Sequence, residues 1–460
     1  MTGTPHLMWR TSDRVRRSFL CVVFSACVVA YANTALAQYG GVGPVGTGTP
    51  QEPPLSPPVD TPLPTGQGML TIGPFLLSPI LDTYTLYNSN LYSSTTNRLQ
   101  GPAFRIRPSL LADWDTGIHD IKLYGNIDSD IYPTLNGAND TFNRQAGAID
   151  TYSPLRDLTF TAQFDYSHSS LATLVSSALP SPITSIATPA PVGAAGVVAL
   201  QQLQINPNDT FTATFDANKQ FNRSFLNVGG TFLRTQYQNT PGQDFDQGAY
   251  YASGGAWITP QFFAFGDAID ANSVPSVGLI ANSYRARAGI GSAQIGLFQG
   301  SVYYGHQGTS LDGDGSAGGD IYGGVVSYFP TPAWNMSVQV DRLRNRSDIT
   351  ATTQFSLAGL SLSAVPVGTS SSVQITDIAY RTNYALTSQI NLYAVVSDDR
   401  ISYFNMPRLD NSWLTAAGVT YQATDQLSLS LDYQYSRYLS TAPGNSFTQN
   451  LVSLGAHYHF

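Results

Sequence analysis

The chain has 460 residues and a formal net charge of −8, and 42% of it is hydrophobic. Aromatic residues make up 12% and charged residues only 11%, against about 25% charged residues in an ordinary soluble domain. No basic patch interleaved with aromatics suggests nucleic acid as a partner. Beyond the N-terminus no run approaches the ~18 apolar residues of a membrane helix. A large soluble β-protein and a transmembrane β-barrel are the classes that remain.

Residues 1–37 have the three parts of a secretory signal peptide. An apolar core over 19–31 precedes the small-residue cleavage site Ala35-Leu36-Ala37, and the basic residues in front of the core are Arg10, Arg14, Arg16 and Arg17. Cleavage there would start the mature chain near Gln38 and leave it more acidic than the whole. Two alternatives for export stay open. Arg16-Arg17 fits a twin-arginine signal, and residues 24–27 resemble the lipobox that would make a lipid-anchored protein.

Both cysteines, Cys21 and Cys27, lie in the signal peptide. The mature chain therefore has no disulfide, thiolate metal site or cysteine nucleophile. The glycine-rich segment that holds Asp312, Asp314 and Asp320 lacks the spacing and closing glutamate of a calcium-binding EF-hand. Neither a metal site nor a cofactor is predicted.

Residues 38–69 form a linker whose core, 40–68, is rich in glycine, proline and threonine. This composition favours extended, solvated backbone over a packed fold. We expect a disordered periplasmic segment. It is either a plain tail or an arm that reaches peptidoglycan or a periplasmic partner.

From residue 70 to residue 460 the chain is a long series of segments with alternating polarity, from 72–87 to 448–460. There are about eighteen, with sixteen as the alternative. Very short connections such as Thr116–Gly117 and Thr424–Asp425 alternate with longer ones such as 171–208 and 348–371. Short periplasmic turns and longer extracellular loops are typical of outer-membrane barrels. The pattern predicts an all-β, antiparallel up-and-down transmembrane barrel with both termini in the periplasm.

The alternation within segments indicates what each face meets. In 118–133, Ile121, Leu123 and Ile127 oppose a strongly charged face. Burying such charges in a dry core costs several kcal/mol each, so the polar face must be wet while the apolar face meets lipid. The candidates for lining this water-filled interior are Arg105, Arg107, Asp113, Asp115, Lys122, Asp128, Asp130, Arg285 and Arg287. Two arginine pairs could set an ion preference, with ordinary lumen polarity as the alternative.

The last strand carries a pattern of its own. Ser453, Gly455, Tyr458 and Phe460 follow the order polar, glycine, aromatic, aromatic. This is similar to the C-terminal signal of outer-membrane barrels, which the barrel-assembly machinery grips. The same strand closes such barrels by pairing with the first one.

The segments Gly73–Pro79 (Gly-Pro-Phe-Leu-Leu-Ser-Pro) and Tyr87–Tyr92 (Tyr-Asn-Ser-Asn-Leu-Tyr), followed by Pro108-Ser109-Leu110 and Trp114, resemble the opening of the putative beta-barrel porin 2 family of Gram-negative outer-membrane proteins. The resemblance implies a single barrel over roughly residues 70–460. It implies no particular substrate, although surface-polysaccharide export is loosely associated with the family.

Two groups of outward-facing residues predict either a lipid partner or an enzymatic reaction. Arg342, Arg344 and Arg346 share a face with outward-pointing valines near the extracellular end, where arginine suits lipopolysaccharide phosphates; a switch of parity above the membrane is the alternative. His168 and Ser170 share the lipid-facing parity, as in a rim lipid hydrolase. The pair is a weak match to such enzymes, and a polar strand end is the simpler alternative.

The sequence favours a non-enzymatic pore that passes small polar solutes or a secreted polysaccharide. The long connection 171–208 is apolar and rich in proline and alanine. It could fold into the barrel as a constriction or plug, or form an exposed patch for a partner chain. A plugged barrel with an envelope-structural or adhesion role is therefore the main alternative function.

Overall fold

The computed structural model describes most of the region from residue 70 to residue 460. The described ranges are 70–90, 100–133, 140–171, 205–238, 244–276, 280–311, 316–347, 355–357, 360–362, 371–403, 407–441 and 446–460. The signal peptide, the proline-rich segment and nearly all of the connection 171–208 lie outside these ranges. The predictions made for them stay predictions.

Eighteen long strands of 13–16 residues form the body of the structure. They are β1 Phe75–Asn88, β2 Gly101–Asp115, β3 His119–Ile131, β4 Thr141–Leu155, β5 Leu158–Leu171, β6 Ile205–Gln220, β7 Ser224–Tyr237, β8 Phe245–Trp257, β9 Phe262–Pro275, β10 Ala281–Ile295, β11 Phe298–Leu311, β12 Ser316–Thr331, β13 Trp334–Ser347, β14 Ser371–Ala385, β15 Ile390–Tyr403, β16 Leu409–Gln422, β17 Leu427–Ser440 and β18 Phe447–His459. Each pairs antiparallel with the next in sequence.

The sheet closes because β18 also pairs with β1. Leu81 lies opposite Tyr458, and Leu86 lies opposite Ser453. The predicted closed antiparallel barrel of eighteen strands is confirmed, and the alternative of sixteen is wrong. No helix long and apolar enough to cross a bilayer occurs in the described ranges.

Exposure alternates along the strands as the sequence pattern predicts. On β2 the exposed side chains of Phe104 and Ile106 flank Arg105, which is only 6% exposed. On β17 the exposed Leu429, Leu431 and Tyr433 alternate with the buried serines and Asp432. A closed barrel with side chains of period two necessarily has one face outside and one inside. Here the outside is apolar, and the interior carries most of the charge.

The short connections share a threonine-based turn. In four of them the threonine Oγ1 accepts a hydrogen bond of 2.9–3.0 Å from the backbone N–H three residues later. The threonines are Thr116, Thr259, Thr387 and Thr424. The hydroxyl replaces a backbone acceptor at the point where the chain reverses. This is why short polar turns suffice at this end of the barrel.

The N-terminal end of the barrel differs from the single strand predicted over 72–87. A three-residue strand, Leu70–Ile72, folds back on β1 and pairs Leu70 with Leu77. Gly73 makes the turn with φ of 61°, a conformation that costs a glycine nothing. The Gly-Pro-Phe motif is therefore a turn followed by the start of β1. A second small hairpin, Phe355–Leu357 with Leu360–Leu362, lies within the connection between β13 and β14.

Candidate functional site: the barrel interior

The first group of predicted lining residues forms an ion-paired cluster on β2 and β3. Arg105 donates to both carboxylate oxygens of Asp130, at 2.5 and 2.7 Å. Its Nε also lies 3.4 Å from Asp128 Oδ1. Arg105 and Asp130 are 6% and 2% exposed. This bidentate geometry is the strong form of an arginine–carboxylate pair, so the guanidinium is fixed against the wall.

Tyr132 caps this cluster just beyond β3. Its side chain is 1% exposed, and its backbone N–H donates to Asp140 Oδ1 at 2.8 Å. Burial, together with the negative charge of Asp130, raises the pKa of the Tyr132 phenol. The phenol therefore stays neutral at any physiological pH.

Arg285 and Arg287 on β10 form a second cluster with Asp267 on β9. The Nε of Arg287 donates to Asp267 Oδ2 at 2.7 Å, and Arg285 Nη2 lies 3.6 Å from Asp267 Oδ1. The Arg287 guanidinium also lies 4.7 Å from the centre of the Tyr303 ring. All three charged side chains are buried. In both clusters, carboxylates from neighbouring strands hold the arginines that the sequence singled out.

The remaining candidates lie nearer the short-turn end. Lys122 pairs with Asp120, and Asp113 lies opposite Lys122 in the strand register. Arg107 lies opposite Asp82, whose Oδ1 is 2.9 Å from Nδ1 of His457. Asp115 has a different role, because its carboxylate accepts the backbone N–H of Gly117 at 2.6 Å in an exposed turn. Whether any of these residues borders a conducting path stays a prediction.

The interior wall also contains an arrangement that the sequence analysis missed: tyrosine, glycine and aspartate in line across three neighbouring strands. Tyr303, Gly323 and Asp341 are direct register partners, and the Tyr303 phenol donates to Asp341 at 2.6 Å across the glycine. The same arrangement joins Tyr393 to Asp432 over Gly418 and Tyr251 to Asp216 over Gly229, both at 2.7 Å. Tyr124, Gly147 and Asp165 share the register.

We call these sets tyrosine–glycine–aspartate rows. A Cβ on Gly323 or Gly418 would overlap the tyrosine ring and the carboxylate. The glycine therefore lets the ring lie flat along the wall instead of projecting into the barrel. A row can be recognised only when the pairing of three neighbouring strands is known, so no motif in the linear sequence reveals it. An interior tyrosine one strand from an interior glycine is the available signal.

Four aromatic side chains form an apolar patch on the interior of β7, β8 and β9 near the short turns: Phe225, Trp257, Phe263 and Phe265. The Trp257 and Phe263 ring centres are 5.1 Å apart, and those of Phe263 and Phe265 are 6.0 Å apart. Tryptophans at strand ends are typical of the lipid-facing aromatic girdles of membrane barrels. Trp257 shares the interior parity of buried Tyr251 and Ser253 instead, because parity, not position along the strand, fixes the face.

At the other end of the barrel, Arg408 is part of a buried hydrogen-bonded group. Its Nη2 lies 2.7 Å from Asp410 Oδ2, and its guanidinium lies 4.9 Å from the Tyr403 ring centre. Tyr403 and Tyr438 both donate to the same carboxylate oxygen, at 2.9 and 2.5 Å. Asp410 is thereby fully satisfied although it is 0% exposed.

Aspartates outnumber basic side chains on the interior face of the described strands. The basic residues are Arg105, Arg107, Lys122, Arg285, Arg287 and Arg381. The aspartates are Asp82, Asp113, Asp120, Asp128, Asp130, Asp165, Asp216, Asp267, Asp341, Asp377, Asp399, Asp410 and Asp432. The interior is therefore an acidic, polar surface. Within the described ranges, no group of three or more His, Asp or Glu is arranged to hold a metal ion.

Two features on the outer surface were also predicted. Arg342 shares the outward parity of Val338; its Nη2 donates to Gln374 at 2.5 Å, and its guanidinium lies 5.3 Å from the Tyr322 ring centre. The side chains of Arg344 and Arg346 lie outside the described part of the structure. His168 Nδ1 lies 2.9 Å from Asp209, which also accepts from Tyr166 at 2.7 Å.

The Ser170 side chain is likewise outside the described part, so the hydrolase pair His168 and Ser170 stays a hypothesis.

The assembly-signal residues of β18 lie where β18 pairs with β1 and closes the barrel. Gly455 faces Tyr84 across the seam, and the rings of Tyr458 and Phe460 meet edge to face at 4.7 Å.

Residues 281–460, from β10 to the C-terminus, match the model of the family described as putative beta-barrel porin 2. A comparison with curated proteins finds no match. Three similar solved structures are the Pseudomonas aeruginosa outer-membrane protein OpdK, P. aeruginosa OccK8 (OprE) and Acinetobacter baumannii OccAB3. Their sequence identities to this chain are 9%, 10% and 9%, and their TM-scores are 0.46, 0.46 and 0.47. The matches cover 84%, 85% and 84% of this chain and 99%, 98% and 99% of the three relatives.

The family match falls on the second half of the barrel, whereas the motifs that suggested it lie between Gly73 and Trp114. The resemblance is confirmed on independent residues. The half from β10 to β18 matches the putative beta-barrel porin 2 model, and the chain folds as a closed antiparallel β-barrel.

Proposed function

We propose that this barrel is a passive pore for small polar solutes, with both termini in the periplasm. The observation that carries the proposal is the closed eighteen-stranded barrel whose interior face carries many charged and polar side chains. Barrels of about 16–18 strands enclose an aqueous channel, whereas small ones are filled by their own side chains. The tyrosine–glycine–aspartate rows support the same proposal, since the tyrosine rings in them lie flat against the barrel wall.

A secreted polysaccharide is the second candidate solute. The interior aromatic patch favours it, because the flat apolar faces of sugar rings can stack on aromatic rings.

The orientation with both termini in the periplasm is inferred from loop length, since outer-membrane barrels have short turns on the periplasmic side. The same proposal includes three partners. The barrel-assembly machinery acts on β18, and lipopolysaccharide binds at Arg342, Arg344 and Arg346. Residues 40–68 reach a periplasmic partner or peptidoglycan.

Single-channel recording of the refolded mature protein in planar bilayers tests the pore. Steady openings on the order of nanosiemens are expected for a wide aqueous barrel. A folded, inserted barrel that carries no current would overturn the proposal and favour the plugged barrel with a structural or adhesion role. Deletion of 175–200 would then show whether the connection 171–208 is the plug, because removing a plug restores current.

A further inference from the structure

The four rings of the aromatic patch lie on two lines of register partners that cross strands β7 to β10. The first line is Phe225, Gly255, Phe265 and Gly289, and the second is Trp257, Phe263 and Gly291. A Cβ on any of these three glycines would overlap a phenylalanine ring of the preceding strand. Each phenylalanine ring therefore lies directly against the backbone of the next strand.

All four rings are partly exposed, and their parity turns the exposed part to the interior. They lie at the short-turn end of the barrel. Phe225 and Phe263 are the second residues of β7 and β9, and Phe265 is the fourth residue of β9. Trp257 is the last residue of β8. At about 3.3 Å per residue, the patch extends roughly 10 Å along the strands from that end.

The first line continues to a ring that is covered. Gly289 pairs with Tyr303, whose side chain is only 5% exposed. The Arg287 guanidinium lies 4.7 Å from the centre of the Tyr303 ring, and Asp267 holds Arg287 in place. On these two lines, the accessible aromatic surface is therefore that of the patch at the mouth of the barrel.

The side chains that border the patch within the wall can form hydrogen bonds but carry no charge. Gln220 is the register partner of Phe225, and Ser301 is the register partner of Gly291. Gln299 has the same parity as Ser301 and is exposed. Amide and hydroxyl groups of this kind both donate and accept hydrogen bonds.

Charged side chains lie around the patch but not within it. In the described part of the chain, neither line carries a charge between β7 and β10. Arg223 stands in an exposed turn beside Trp257, and Arg287 is already bound to Asp267. A ligand would therefore be held by ring faces and uncharged hydrogen bonds. Sugar rings have this chemistry, since they combine flat apolar faces with hydroxyl groups.

We propose that the aromatic patch binds sugar rings of a neutral oligosaccharide at the short-turn end of the barrel. The inference rests on the second solute of the proposed function and assigns a binding site to it. The ring centres of Trp257 and Phe263 are 5.1 Å apart, and those of Phe263 and Phe265 are 6.0 Å apart. Consecutive sugar rings of one chain can therefore each meet a different aromatic ring. Phe225 and Phe265 are two strands apart and extend the surface to about 10 Å.

The first test measures by calorimetry how maltohexaose and cellohexaose bind to the detergent-folded mature protein. Phe263→Leu/Phe265→Leu keeps apolar volume but removes two ring faces, so it should bind about tenfold more weakly than wild type. The matched control, Phe262→Leu/Phe298→Leu, removes two exposed rings of the outward face and should bind like wild type. An equal loss in the control, or no loss in the patch variant, would overturn the inference.

Tryptophan emission is the second test, and it decides even if the leucine variant does not fold. Trp257 is the interior tryptophan of the described strands, since Trp114, Trp334 and Trp413 have the outward parity. The hexasaccharides should change the emission of wild type. Trp257→Phe keeps an aromatic ring, so it should still bind in the calorimeter but lose most of the emission change. A full emission change in Trp257→Phe would place the sugar elsewhere.

Neither test needs current, so the pore and the site can fail separately. A barrel that conducts ions but binds neither hexasaccharide keeps the pore and loses this site. A barrel that is silent in bilayers but binds them keeps the site and loses the pore. Binding of indole without binding of either hexasaccharide would assign the patch to aromatic solutes and end the inference.

Discussion

Tyr393 and Asp432 lie two strands apart, yet the phenol of Tyr393 donates a 2.7 Å hydrogen bond to the Asp432 carboxylate across Gly418. The strand between them can be bridged because its residue at that point has no side chain. A tyrosine–glycine–aspartate row thus links three strands through side chains as well as through the backbone ladder. It also places the Tyr393 ring directly against Gly418 in the barrel wall.

Gly418→Ala should therefore destabilise the barrel although alanine is otherwise tolerated in strands. The new Cβ would overlap both the Tyr393 ring and Asp432, and overpacking of this kind costs typically about 1–3 kcal/mol. Urea unfolding in lipid vesicles measures the change. Gly248→Ala is the control, since nothing lies within 4 Å of a Cβ there. Equal stability of the two variants would contradict the role of the glycine.

Tyr251→Phe tests the hydrogen bond of a row without disturbing its packing. The ring remains over Gly229, but the 2.7 Å bond to Asp216 is lost. A hydrogen bond to a charged group contributes roughly 1.5–3 kcal/mol, so the free energy of unfolding should fall by about that amount. Tyr421→Phe, on the exposed outer face, should change little. A Tyr251→Phe variant as stable as the wild type would mean that water replaces the phenol.

The sequence predicted the barrel well because a barrel wall obeys a local rule. Alternation of period two, short turns and a glycine–aromatic last strand are all visible in a single chain, and the structure agrees on the number of strands. The tyrosine–glycine–aspartate rows and the aromatic patch depend on the register between strands. Tyr393, Gly418 and Asp432 are separated by stretches of sequence, and only strand pairing brings them into line. Trp257 is a separate case: a strand-end tryptophan is typical of a lipid-facing girdle, but this one has the parity of the buried Tyr251 and Ser253.

Arg105→Gln should be among the more damaging single substitutions in the wall. It leaves Asp130, which is 2% exposed, without its bidentate partner. Removing one member of a buried ion pair typically costs about 3–5 kcal/mol. The double variant Arg105→Gln/Asp130→Asn should recover most of that loss, because no uncompensated charge remains. A double-mutant cycle in urea measures the coupling, and strictly additive effects would show that the pair is not energetically linked.

The outer-surface arginines should make the barrel respond to lipopolysaccharide. Arg342 shares a face with the exposed Val338 and stacks on Tyr322 near the long-loop end, where lipid phosphates would lie in the proposed orientation. Arginine binds phosphate through charge-assisted hydrogen bonds, so added lipopolysaccharide should raise the unfolding temperature of the wild type. The Arg342→Ala/Arg344→Ala/Arg346→Ala variant should lose most of that increase. Arg223→Ala, at the short-turn end, is the control for a lost surface charge and should keep it. An equal response from all three proteins would place lipopolysaccharide elsewhere or reverse the orientation.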